Sequence, residues 1–256
     1  MNLAYYYVGM GWYLTPISCC LFICSLGPAR ALAIYPLQYR IKGKDVGLFG
    51  NPPGILGFVR PAVGPDGKPG TSYQFYGRRN SLIRFPNRGR LDAQKAITLL
   101  AWLYPEGPGP IFKYGVDFSV GRARSLFIRI FPRGSRNSRI RPLRARGVLR
   151  YRRWHFVAAS YEQKTGETRI YVNGRLVSRT RLRRVRLGTN IPAIMGAARS
   201  RYFRGRISCM QVYGRVLSRW QIIKRKTKCF KGKRHFVTVC CFTLVKHALR
   251  GGINEQ

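Results

Sequence analysis

Eight carboxylate side chains occur in 256 residues, and no two stand closer in the chain than Glu162 and Glu167. That spacing is a first test for hydrolytic chemistry, because retaining glycoside hydrolysis needs two carboxylates about 5 Å apart, one as nucleophile and one as acid. Glu162 and Glu167 flank Gln163-Lys-Thr-Gly166, a turn sequence where solvated loop acids are expected instead of a catalytic pair. His155, His235 and His247 have no Gly-x-Ser-x-Gly elbow or matched cysteine context around them, so no nucleophilic triad is expected. His155 is expected to decorate a strand. Asp66, Asp92 and Asp117 are the candidate calcium ligands, but no loop gathers the six to eight oxygens that ion takes. The reading is of a protein without catalytic residues, bound metal or cofactor.

The abundant chemistry is cationic. Lys and Arg number 48 and the formal net charge is +40, with a single Arg and no acid in residues 1–33. Self-repulsion on that scale favours polyanionic partners. Thirty-six of the basic residues are Arg, whose planar fork meets sulfate, phosphate or carboxylate with paired hydrogen bonds, where Lys offers a point charge. Two stretches concentrate them. One runs from Arg122 to Arg153 and includes Arg139, Arg141, Arg144 and Arg146; the other runs from Arg175 to Arg186. If the second is a strand, Leu176, Ser178, Thr180 and Leu182 face inward and Arg179, Arg181 and Arg183 outward. A bulge at Arg183-Arg184 would then return Val185 and Leu187 to the core and leave Arg186 in solvent. Outward residues two apart lie about 7 Å from one another, a comb able to track the anionic groups of an extended polymer. A solvated strand that protects a sheet edge has the same pattern.

The elements that must position these side chains are short strands. Turn sequences recur at Asn51-Pro-Pro-Gly54, Gly64-Pro-Asp-Gly67, Asn87-Arg-Gly89, Glu106-Gly-Pro-Gly109 and Lys164-Thr-Gly166, separated by runs of Val, Ile, Phe and Tyr. This is the punctuation of an antiparallel sandwich. Trp154 to Tyr161, Thr168 to Val172 and Arg175 to Arg179 read as a three-stranded meander. Its second turn, Asn173-Gly174, has the two residues that best tolerate positive φ in a type I′ hairpin. Ala96 to Tyr104 is apolar on both alternating sets and predicts a central strand covered on both faces. Pro110–Tyr114, Val116–Val120 and Ser125–Phe131 predict a second strand series. Leu217 to Lys226 alone predicts a helix, with Ser218 as N-cap.

Taken in order, Ser72-Tyr-Gln-Phe-Tyr-Gly77, Leu82-Ile-Arg-Phe85, Ile97-Thr-Leu-Leu-Ala-Trp102, Trp154-His-Phe-Val-Ala158, Tyr171-Val-Asn-Gly174 and Phe203-Arg-Gly-Arg-Ile-Ser-Cys-Met-Gln-Val-Tyr213 resemble the laminin G-like group of concanavalin-type jelly rolls, which includes the pentraxins. The resemblance spans roughly Gly67 to Phe230. It implies an all-β, two-sheet antiparallel jelly-roll sandwich with a short C-terminal helix, a partner-binding loop rim, and roles in extracellular adhesion, glycan recognition or matrix assembly. Similar domains often close their C-terminus with a disulfide where Cys209 and Cys229 stand, so these two are expected to pair. A separation of 20 residues would contribute about 3 kcal/mol in the chain-entropy picture, in an oxidising compartment. Cys240 and Cys241 are adjacent, which disfavours their mutual bonding.

Residues 1–33 read as a signal peptide. Met1 to Ala29 has no charged side chain, Ile17 to Leu26 is apolar, and Ala29-Arg-Ala31 and Ala31-Leu-Ala33 have the small-residue spacing of a cleavage site. An uncleaved anchor over residues 5–27 is the competing reading, and only then is a membrane a partner. Residues 34–66 are expected to hold an N-terminal strand and loops, 67–230 the laminin G-like domain, and 231–256 a basic and apolar tail in which His235 to Val245 is too short to span a bilayer. The expected function is a secreted, non-catalytic binding or adhesion module for polyanionic glycans or acidic extracellular proteins. A structural matrix protein is an alternative. A nucleic-acid binder is another, disfavoured because no recognisable module for that polymer is present.

Overall fold

The computed structural model describes residues 29–135 and 137–230. Residues 1–28, Arg136, and residues 231–256 with His235, His247, Cys240 and Cys241 lie outside the described residues, so most of the expected leader and all of the expected tail fall there. The strands are β1 (Ala33–Tyr35), β2 (Ile55–Leu56), β3 (Arg60–Ala62), β4 (Ser72–Tyr76), β5 (Ile83–Phe85), β6 (Ala96–Pro105), β7 (Gly109–Lys113), β8 (Val116–Gly121), β9 (Ser125–Ile130), β10 (Leu143–Ala145), β11 (His155–Glu162), β12 (Glu167–Val172), β13 (Arg175–Arg181), β14 (Ala193–Met195), β15 (Ala197–Ala198), β16 (Arg201–Tyr202) and β17 (Arg204–Tyr213), followed by helix α1 (Arg219–Lys224). Among the described residues no helix is long and apolar enough to cross a membrane.

These strands form the all-β antiparallel sandwich that the turn spacing implies. One sheet has the order β13-β12-β11-β6-β17-β4-β3, with β1 also paired to β17; the other has the order β10-β9-β8-β7-β14-β5-β2. Strict alternation builds the interior. Val116, Phe118 and Val120 of β8 and Leu126, Ile128 and Ile130 of β9 enter the core, and the residues between them point to the outer face. Tyr35 of one sheet packs on Phe85 of the other with ring centroids 4.2 Å apart, and Phe85 lies 6.3 Å from Phe112.

β6 lies between β11 and β17 and is covered on both faces, as its two apolar residue sets require. Ile97, Leu99, Ala101 and Leu103 join the main core. Leu100 lies in a second cluster with Phe156, Ala158, Tyr171, Tyr213, Leu217 and Ile222. Thr98 and Trp102 fasten the chain end over that outer face: the Thr98 hydroxyl donates to Arg215 O at 2.7 Å, and Trp102 Nε1 donates to Lys226 O at 2.8 Å.

The meander forms as expected, with Asn173 and Gly174 at φ 52° and 82°. The helix is shorter than Leu217 to Lys226. It starts after Ser218, whose capping box with Gln221 satisfies two end N–H groups. It stops at Lys224 because the chain must turn back to bring Cys229 to Cys209, which are disulfide-bonded with Cα atoms 5.6 Å apart.

The segment 33–66 supplies β1, β2 and β3 to the two sheets. Their loop is organised by buried Asp45, which accepts from Ile34 N, Gly47 N, Asn51 N and Asn51 Nδ2 at 2.7–3.0 Å. The alanines of the expected cleavage motif are themselves packed: Ala29 and Ala31 are buried beneath the α1 cluster and Ala33 opens β1.

Candidate functional site

The arginine comb differs in register from its sequence pattern. β13 ends at Arg181, and its bulge falls at Val177, between the pairs Ile170–Ser178 and Tyr171–Leu176. Val177 therefore turns toward the core and Leu176 turns out, 44% exposed. The inward pull on Val177 is stronger than on Leu176 because Tyr171, opposite Leu176, already belongs to the outer cluster. Ser178 and Thr180 face inward and Arg179 and Arg181 outward, as the alternation predicts. Beyond β13 no bulge at Arg183-Arg184 exists, because the strand has ended. The loop is instead held by the Tyr161 hydroxyl, which accepts from Val185 N at 2.8 Å and lies within donating distance of the Val185 carbonyl at 2.9 Å and the Arg183 carbonyl at 3.1 Å. Arg183 and Arg186 are exposed from this loop. Arg179 lies 3.7 Å from Glu167, which also pairs with Arg169.

Sheet closure brings the two basic stretches together. β13 ends one sheet and β10 ends the other, and the Ser178 hydroxyl donates to the Arg144 carbonyl at 3.3 Å across that edge. Arg139 and Arg183 line one cleft of about 350 Å³. Arg141, Arg144 and Arg146 are exposed along the same β10 segment.

Next to this edge, the outer face of β8, β9 and β10 carries a groove of about 500 Å³ that the sequence did not signal. Phe127 forms its floor. The Arg144 guanidinium lies 5.0 Å from the ring centroid and that of Arg201 lies 5.6 Å from it, with Arg122, Arg129 and Tyr202 lining the walls. At Gly121 a Cβ would meet Ser125 Oγ at 2.5 Å and Arg144 Nη1 at 2.7 Å, so a larger residue there would push the Arg144 head group aside. Arg129 and Arg201 continue into a neighbouring cleft of about 400 Å³ with Lys113 and Asn137. Asp117, its side chain 3% exposed, pairs with Arg201 and accepts from the Ser119 hydroxyl. Arg129 Nε is buried without a hydrogen-bond partner. Arg201 arrives from the β15–β16 hairpin, far from Phe127 in the chain, so only the alternation of β9 could have indicated an outward aromatic here.

The acidic candidates are dispersed. Thr165 donates to Glu162 at 2.9 Å, and Glu167 is engaged by arginines. Asp66 accepts from Thr71 and Lys68 N in an exposed turn. Burial alone would raise the Asp92 pKa, but hydrogen bonds from Thr189 and Gln94 and the hydrogen bond and charge of Arg133 outweigh it and hold the carboxyl below its usual range. Among the described residues no group of three His, Cys, Asp or Glu side chains could hold a metal ion.

His155 opens β11 with its ring buried, Nε2 lying 3.0 Å from Arg150 N. Burial lowers its pKa, the charge of Arg150 adds to that, and the Arg150 backbone hydrogen bond opposes it. The native state thus prefers the neutral ring. Its contribution is fully present above about pH 6.5 and is lost as pH falls from there through the lowered native pKa. Urea unfolding of His155→Gln is expected to lose stability less steeply than wild type between about pH 6.5 and 5; parallel profiles would contradict this.

Comparison with known proteins fits this geometry. The binding domain of Paraclostridial Mosquitocidal Protein 1 superposes with TM-score 0.58 at 14% identity, over 76% of this chain and 51% of that one. The binding domain of Botulinum Neurotoxin DC in complex with SialylT gives TM-score 0.60 at 11% identity, over 78% and 52%. The chain thus spans about half the length of these toxin domains. Domain 4 of AbnA, an extracellular arabinanase from Geobacillus stearothermophilus, in complex with arabinotriose, gives TM-score 0.55 at 20% identity, over 77% of this chain and 98% of that one. At these identities the likeness is one of fold. A search of curated protein sequences returns no significant match. The Laminin_G_3 family model, described as the concanavalin A-like lectin/glucanases superfamily, matches residues 77–223, more than half of the sequence, and the chain belongs to that family.

Proposed function

We propose that this protein is an extracellular, non-catalytic binding module whose partner is a polyanionic glycan or an acidic extracellular protein, held along the basic sandwich edge. The observation that supports the reading is the contact of the β10 and β13 segments, where Ser178 meets the Arg144 carbonyl and Arg139 and Arg183 line one cleft, with Arg141, Arg144, Arg146, Arg179, Arg181 and Arg186 exposed on the flanking residues. The adjoining groove offers Arg122, Arg144 and Arg201 around an aromatic floor, a combination suited to a ring that carries carboxylate or sulfate. The likeness to binding domains, one of them holding arabinotriose, supports binding over catalysis. So does the dispersal of Glu162 and Glu167 into local contacts. The uncharged, leader-like sequence ahead of the packed Ala29 supports an extracellular location.

The test is heparin affinity. Replacing Arg179, Arg181, Arg183 and Arg186 by Ala is expected to raise the Kd roughly 30-fold, taking about 0.5 kcal/mol for each exposed ionic contact. A second variant with Ala at Arg40, Arg79, Arg84 and Arg88, all exposed elsewhere, removes the same charge and is expected to shift binding far less. Equal losses would make the interaction one of net charge without an address on this edge.

A further inference from the structure

A second surface lies on the outer face of the eight-stranded sheet, where α1 packs. Most of that face is sealed by Leu217 and Ile222, but three large apolar side chains stay outside: Trp220 is 73% exposed, Leu176 44% and Ile223 37%. Trp220 and Ile223 are one helical turn apart and share a face of α1. Ile223 lies against the β12–β13 hairpin, where a Cβ on Gly174 would come within 2.7 Å of its Cγ1. Leu176 follows two residues later, turned to this face by the bulge at Val177. Ile223 and Leu176 thus flank one hairpin turn, and Trp220 extends the Ile223 face of α1.

Their surroundings are basic. Arg175, Arg215, Arg219 and Lys224 are exposed, and no acidic residue occurs between Glu167 and Glu255. The patch is also held rigidly. A six-residue helix is too short to persist unaided, yet α1 is fixed by its capping box, by Arg219 Nε donating to Gly174 O at 3.0 Å, by Arg225 donating to Gln221 O and Ala29 O, and by the disulfide just beyond it. These fastenings present a tryptophan to solvent in one orientation.

We propose that Trp220, Ile223 and Leu176 form a membrane-contact patch that enters the headgroup region of a bilayer rich in anionic lipid. Tryptophan is favoured at that boundary, where its ring meets acyl chains and its N–H meets headgroups. Arginines and lysines around an apolar patch add attraction to anionic lipid. Charge selects this occupant over a second copy of the chain, since two molecules at +40 repel one another. The proposal is independent of glycan binding at the arginine edge.

The experiment reads Trp220 itself, because so basic a protein adsorbs to anionic vesicles by charge alone. Full-length protein in a Trp12→Phe background is mixed with phosphatidylcholine–phosphatidylserine vesicles containing lipids brominated near the top of the acyl chain. Quenching of tryptophan emission is expected, and it is expected to vanish in Trp220→Ser. Ile223→Ser, which keeps the reporter, is expected to weaken binding to these vesicles at high salt roughly tenfold. Equal quenching with and without Trp220 overturns the proposal. So does a concentration-dependent dimer in sedimentation that Trp220→Ser abolishes, which would make the patch a self-interface.

Discussion

Asp45→Ala is expected to lower the unfolding free energy by about 3 kcal/mol, the upper end of the cost of leaving buried hydrogen-bond donors without their acceptor. The carboxylate is buried and takes four hydrogen bonds, three of them from the main-chain N–H groups of Ile34, Gly47 and Asn51. Alanine accepts none of them, and the N–H groups of Ile34 and Asn51 are buried where they lie. One of the three belongs to β1, so the damage reaches the sheet through the pairing of β1 with β17. Asp45→Asn keeps the shape and one acceptor oxygen, and is expected to lose about half as much, in line with the lower strength of neutral hydrogen bonds. Urea unfolding followed by circular dichroism measures both. A loss below about 1 kcal/mol for the alanine variant would show that the loop rearranges around the gap.

Removing the Cys209–Cys229 bond is the second large perturbation. Replacement of both cysteines by serine is expected to cost about 3 kcal/mol, from the conformational freedom restored to a 20-residue segment of the unfolded chain. The effect is concentrated at the outer face. Gln38 Nε2 donates to the Cys229 carbonyl, Gln211 Nε2 donates to the Arg225 carbonyl, and Trp102 is covered by Lys226. Loss of the bond is expected to expose Trp102 and shift its emission to longer wavelength. Reductant should bring wild type to the stability of the double variant and leave the variant unchanged. A wild-type midpoint insensitive to reductant under conditions that free both thiols would contradict the assignment.

The difference between these two sites is instructive. Cys209 and Cys229 stood out through their place in a family resemblance, whereas Asp45 offered no local signal: one acidic residue in a loop, distinguished only by the N–H groups that folding places around it. The strands show the same division. The meander from Trp154 to Arg179 was legible because alternation and the Asn173-Gly174 turn are properties of neighbouring residues. The length of α1 was not, because it is cut by the demand that Cys229 reach β17. The comb was half legible. Arg179 and Arg181 face out as period two requires, but the bulge lies at Val177, chosen by competition between the main core and the cluster around Tyr171.

The sequence by itself determined the class of this protein: an antiparallel sandwich, strongly basic, poor in carboxylates and rich in arginine forks. Those features follow from residue types and short spacings, which act before the chain closes. Only the tertiary structure decided which charges share a surface. Arg144 and Ser178 meet because the last strands of two sheets end on the same side. Arg201 reaches Phe127 because a hairpin folds over the outer face of β9. Ile223 reaches the turn at Gly174 because a capped helix packs beside the β12–β13 hairpin. Each is a contact between segments distant in the chain, fixed by sheet order and packing, and no periodicity within one segment encodes it.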